Sequence, residues 1–151
     1  MEFVVNEWLL DYLTPKASQS ESASVRTFLF KFYQKQDILF VKYNSPFTQK
    51  AYGYPKLYSG YQESEMMSFF LDKILLNSQK CRLLYDDEIT GLPNPLNDLL
   101  IPPYDSDTYL FEASLNSTNK IVVTTDQRLI QQTKNNGQIK VVHLIEFLQS
   151  Y

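Results

Sequence analysis

The side chains able to do chemistry stand at the ends of short apolar runs. Asn6 and Glu7 follow residues 3–5, Asn44 follows residues 38–41, and Asp86 and Asp87 follow residues 81–85. Thr124, Thr125 and Asp126 close the run at 121–124, and His143 follows Val141 and Val142. Carboxylates, amides and hydroxyls are oxygen donors, the ligand type that hard cations prefer, and amides also suit a phosphate group. Soft-metal chemistry is excluded on counts: the chain holds 1 Cys, Cys81, and 1 His, His143, so no intrachain disulfide, His pair or cysteine-rich zinc site can form. Each of these residues also has a plainer role. Asp126 opens a helix after a strand, where an N-cap sits, and Asp107 in a first helical turn favours the helix dipole. Asn6 reads equally as a turn amide, Asp86 and Asp87 as a solvated turn, His143 as a structural histidine and Cys81 as a buried strand residue.

The elements that must position these groups alternate in type. Strands are expected at residues 3–5, 38–41, 81–85 and 121–124, with a last one ending at Val142. Helical spacing covers residues 7–13, 25–33, 62–76, 106–115, 126–134 and 144–148, with Ser106 as N-cap of the fourth. Residues 16–24 are polar and Ser-rich and read as a loop. Residues 45–60 carry Pro46, Gly53, Pro55 and Gly60 and read as turn-rich or short-helical. Strands that alternate with helices need crossover connections, so the sheet should be parallel and covered on both faces, with its polar site beyond the carboxyl ends of the strands.

The length of 151 residues fits a single domain, and 44% apolar with 21% charged residues is an ordinary globular balance. A net charge of −3 argues against a uniformly basic nucleic-acid binder, but the charge is uneven. Residues 38–62 hold Lys42, Lys50 and Lys56 and no acid, whereas residues 81–115 hold seven acids against Arg82 alone. The basic stretch interleaves its lysines with Tyr43, Phe47, Tyr52, Tyr54, Tyr58 and Tyr61, a pattern that suits phosphates and stacked bases. A packed loop or a dimer interface would favour the same aromatics. No apolar run approaches a membrane span and no basic-then-apolar leader opens the chain, so a cytoplasmic protein is expected.

Two segments carry a family resemblance. Residues 106–114 followed by Lys120-Ile121-Val122-Val123-Thr124-Thr125-Asp126 resemble a PIN domain, in which an Asp opens a helix and a strand then ends in Thr-x-Asp. The opening run of residues 3–13 is similar to the first strand and helix of that family. The resemblance implies a single domain over residues 1–151, built as a three-layer α/β/α sandwich with a central parallel sheet. It also implies a ribonuclease dependent on Mg²⁺ or Mn²⁺, often the toxin partner of an antitoxin protein and often a homodimer. In such nucleases carboxylates hold the metal, which activates water and neutralises charge on the scissile phosphate. Asp107 and Asp126 fall on two of the acid positions and Thr124 on the motif threonine. Asn6 stands where the family has its first Asp, with Glu7 the next oxygen donor along the chain. Gln49 and Lys50 stand where a second acid is expected, and Glu63 and Glu65 are the nearest acids. The metal set implied is therefore Asp107, Asp126, Asn6 and Glu7, while the candidate RNA contacts, Lys42, Lys50 and Lys56, come from the basic, aromatic stretch itself. Loss of the first acid equally implies a degenerate PIN-like scaffold that binds RNA or a protein partner without cutting. A nucleotide-binding α/β protein is a weaker reading, because the chain has only 4 Gly and no Gly-rich loop.

Overall fold

The computed structural model describes residues 1–151. Five strands, β1 (Glu2–Val5), β2 (Ile38–Lys42), β3 (Cys81–Leu84), β4 (Ile121–Thr124) and β5 (Lys140–His143), form one sheet in the order β3-β2-β1-β4-β5. Every pairing is parallel. The helices are α1 (Trp8–Asp11), α2 (Gln19–Gln34), α3 (Pro46–Leu57), α4 (Ser64–Phe70), α5 (Asn94–Asn97), α6 (Thr108–Leu115), α7 (Gln127–Thr133) and α8 (Leu144–Ser150). The result is the expected three-layer α/β/α arrangement.

Strand alternation explains the layers. Phe3 points to one face, where its ring meets Phe28 and Phe32 of α2 and Phe147 and Tyr151 at the end of α8. On the other face α6 packs across β1, β2 and β4, and Lys42 reaches from β2 to Glu112 of α6. Buried apolar side chains from Phe3 to Tyr151 form one continuous cluster. No helix is long and apolar enough to cross a membrane.

Three local expectations need correction. Helix α2 begins at Gln19, inside the segment read as a loop. A capping box explains this: Ser18 Oγ accepts the Glu21 N–H at 3.2 Å and Glu21 Oε2 accepts the Ser18 N–H at 2.8 Å. Of the two readings of the stretch at 45–60, turn-rich or short-helical, the helical one holds, and what needs correction is its length: α3 runs for 12 residues. Buried Ser45 caps it reciprocally with Thr48, Pro46 occupies the tolerated first position, and Phe47 and Ala51 are buried. Pro55 falls near its end, where few helical bonds are lost. The helix expected over 62–76 divides: after α4, residues Leu71–Leu75 widen into a π turn closed by Leu76 N–H to Leu71 O at 2.9 Å, with Ile74 and Leu75 both buried.

Candidate functional site

The strand order reverses between β1 and β4. The chain leaves β1 toward β2 and β3 on one side, and leaves β4 toward β5 on the other. Crossovers therefore diverge beyond the carboxyl ends of these two strands, the switch point where open α/β sheets form their ligand crevice. Asn6 and Glu7 follow β1, Thr124 and Asp126 end and follow β4, and Asp107 stands at the entry of α6.

Asn6 donates from Nδ2 to Thr124 Oγ1 at 2.9 Å, joining the two strand ends. The same fully buried Oγ1 accepts the Asp126 N–H at 3.1 Å. Asp126 caps α7 through one oxygen: Oδ1 accepts from the N–H of Arg128 at 2.9 Å and of Leu129 at 3.1 Å. Its Oδ2 makes no hydrogen bond, so the cap leaves one oxygen free. Glu7 Oε2 accepts the phenol O–H of buried Tyr109 at 2.7 Å, which fixes the carboxylate and leaves Oε1 free. Burial and the neighbouring Glu7 carboxylate push the Tyr109 phenol well above its ordinary range.

Asp107, not Ser106, is the N-cap residue of α6, which a 3₁₀ turn at Tyr104–Asp107 precedes. Its side chain makes no capping bond, so helix capping does not account for it. Burial comes first, followed by the charges of Glu7, Asp126 and Asp105, and together they push its carboxyl up to about 6. Like charges are thus crowded here with no cation among the causes. No set of three or more His, Cys, Asp or Glu side chains stands close enough to hold one ion between them. The donors still suit a hard cation: Asp107, the free oxygens of Asp126 and Glu7, and Asn6 Oδ1, which meets only a long 3.4 Å contact from the Trp8 N–H. Few protein ligands with the rest left to water and substrate phosphate is the usual way Mg²⁺ is held.

The structure adds residues that the strand-end reading passes over. Asp11 lies one helical turn beyond Glu7, its N–H bonded to the Glu7 carbonyl at 2.9 Å. Lys50 Nζ reaches both Asp11 oxygens at 3.0 Å, and the Tyr54 O–H reaches Oδ1 at 2.7 Å. The four-residue spacing of Glu7 and Asp11 was the available signal.

Other sequence candidates are placed elsewhere. Glu63 and Glu65 rim a separate cavity of about 240 Å³ with Tyr12 and Arg26. Lys42 is ion-paired with Glu112 at 2.7 Å and with Asp86 at 3.7 Å, so the basic and acidic stretches partly neutralise each other. Lys56 is exposed and unpaired. Phe47 is buried whereas Tyr43, Tyr52 and Tyr61 are exposed. His143 accepts the Ile145 N–H at the start of α8 as a structural cap, and burial pushes the Cys81 thiol up to about 12, making it unreactive.

The chain matches no family model, no curated protein and no solved structure.

Proposed function

We propose that this is a PIN-like, metal-dependent ribonuclease whose site is the crevice between β1 and β4. The observation that carries this reading is Asp107, a carboxylate free of capping duty and crowded by Glu7 and Asp126 without a compensating cation. Asp107 and Asp126 would hold Mg²⁺ or Mn²⁺, with Asn6 and Glu7 completing the oxygen set. When bound, the ion supplies an activated water and neutralises charge on the scissile phosphate. The chain's own part is orientation. Thr124 ties the Asp126 backbone to Asn6, Tyr109 holds Glu7, and the α7 cap keeps Asp126 in one rotamer. RNA is the proposed substrate, a toxin–antitoxin setting the proposed context, and the cytoplasm the proposed location.

A calorimetric Mn²⁺ titration tests the reading. The wild type should bind, and Asp126→Asn should bind at least about tenfold more weakly, a loss of ~1.4 kcal/mol. Wild type that takes up no Mn²⁺, with or without an RNA oligonucleotide present, would overturn it.

One observation favours a second reading, the scaffold that binds without cutting. Asn6 presents an amide N–H to Thr124 where the family's acid would present an oxygen. Asn6→Asp separates the two readings. Thr124 can rotate its hydroxyl to donate to the new carboxylate, so the fold should persist. A working site that already uses Asn6 should change its cleavage rate by less than about tenfold, ~1.4 kcal/mol. Cleavage that appears only in Asn6→Asp would mark a decayed nuclease.

A further inference from the structure

We infer that Lys50 is the phosphate anchor of this site and that the groove along α3 carries the single-stranded flank of an RNA substrate. The inference rests on the nuclease reading for the position of the scissile bond, but its binding step stands on separate observations.

Glu7, Asp107 and Asp126 have no ion-pair partner, so a phosphodiester approaching them meets uncompensated negative charge. Asp11 extends this acidic strip by one turn of α1, and its charge reaches the Tyr109 phenol that holds Glu7. Lys50 is the one cation whose ion pair ends on the strip. Lys42 and Arg82, the other side-chain cations in ion pairs, bind acids of the 81–115 stretch instead.

The pairing is built to be exchanged. Asp11 Oδ1 is shared by Lys50 and the Tyr54 hydroxyl. When Lys50 turns to another anion, Tyr54 keeps Asp11 hydrogen-bonded, so Asp11 is not left bare. An ammonium carries three donors, and the two Asp11 contacts leave one unused. Lys50 is only half-buried and lines an open groove of about 470 Å³ with Pro46, Gln49, Gly53, Tyr54 and Leu57. A Cβ added at Gly53 would meet nothing within 4 Å, so the groove floor is clear there. A single strand fits these features: a cation for a phosphate, an amide for a base edge, and the Tyr54 ring with apolar Leu57 in the same lining for a base.

Fluorescence anisotropy with a labelled oligouridylate of about ten nucleotides, run in EDTA, reads binding apart from cleavage. Lys50→Gln should weaken binding roughly tenfold. It should also flatten the slope of log K against log salt by about 0.7, one phosphate contact on a single strand. Lys50→Arg should restore most of both, while exposed Lys134→Gln should match the wild type. Wild-type affinity and slope in Lys50→Gln would overturn the inference, as would equal binding of a duplex of the same length or no binding by the wild type. RNA binding lost in Lys50→Gln, in a wild type that never cleaves with Mn²⁺, would instead leave the anchor standing and sink the nuclease reading.

Discussion

Replacing Phe28 with Ala should destabilise the protein by about 3–5 kcal/mol, the usual cost of deleting a fully buried aromatic ring. Phe28 is 0% exposed and touches five other aromatic rings, those of Phe3, Trp8, Phe32, Phe147 and Tyr151. The five neighbours are fixed by four elements: β1, α1, α2 itself and, for Phe147 and Tyr151, the end of α8. The cavity therefore cannot close by moving one side chain, which places the cost at the high end. The loss should reach the crevice as well. Trp8, one residue after Glu7, packs on Phe28 at 5.4 Å between ring centroids, and its Nε1–H donates to Val123 O at 3.0 Å, one residue before Thr124. Urea unfolding checks this, with a lower midpoint and an unchanged slope expected. The melting temperature should fall by roughly 6–20 °C. A loss under about 1 kcal/mol would mean that the aromatic cluster repacks freely, against the geometry described.

Asp107→Asn should do the opposite to stability while removing metal response. In the folded protein the Asp107 carboxyl titrates at about 6, above its ordinary 3.8. Between those values the folded state binds more protons than the unfolded chain, so stability falls as pH rises through this window. The penalty is complete above about 6 and absent below 3.8. An amide cannot ionise, so the variant should melt higher than wild type at pH 8 and together with it near pH 3.5. The carboxyl keeps part of its hydration, which limits the gain to a few degrees, at roughly 2–4 °C per kcal/mol. Added Mn²⁺ should raise the wild-type melting temperature and leave the variant where it was. A variant that melts lower at pH 8 without metal would show that Asp107 is held by a favourable partner rather than crowded by like charges.

Strand β4 and the Asp126 cap are legible in sequence because both are local: a β-branched run, then an acid that opens a helix. The alternation of strands and helices likewise dictates parallel pairing, and with it the carboxyl-end location of the polar groups. The start of α2 was equally local, written in Ser18-x-x-Glu21, but the serines around it read as loop. Helix α3 was one of two readings left open by Gly53 and Pro55, whose propensities yield to a strong N-cap and to burial of Phe47 and Ala51. The Lys50–Asp11–Tyr54 cluster lay further out of reach. It depends on α1 and α3 packing against each other, a tertiary fact that no window of sequence contains. Asp107 sits between these cases. Its position at the head of α6 was readable, but only three-dimensional crowding by Glu7 and Asp126 reveals that its charge is opposed.

The strand order has a consequence for how the chain comes to be folded. The central strand is the first one synthesised, yet its partner β4 lies far downstream: Asn6 and Thr124, which seal the crevice, are 118 residues apart. At roughly 5–20 residues per second, the ribosome needs about 6–24 s to bridge that gap. Throughout that interval the Phe3–Val5 segment has one open flank, and the earlier strands can form only three-fifths of the sheet. Such wide separation between partners also slows folding after release, because chain closure precedes the contacts that reward it. The crevice assembles only at the end, when β4 closes against β1 and Thr124 meets Asn6.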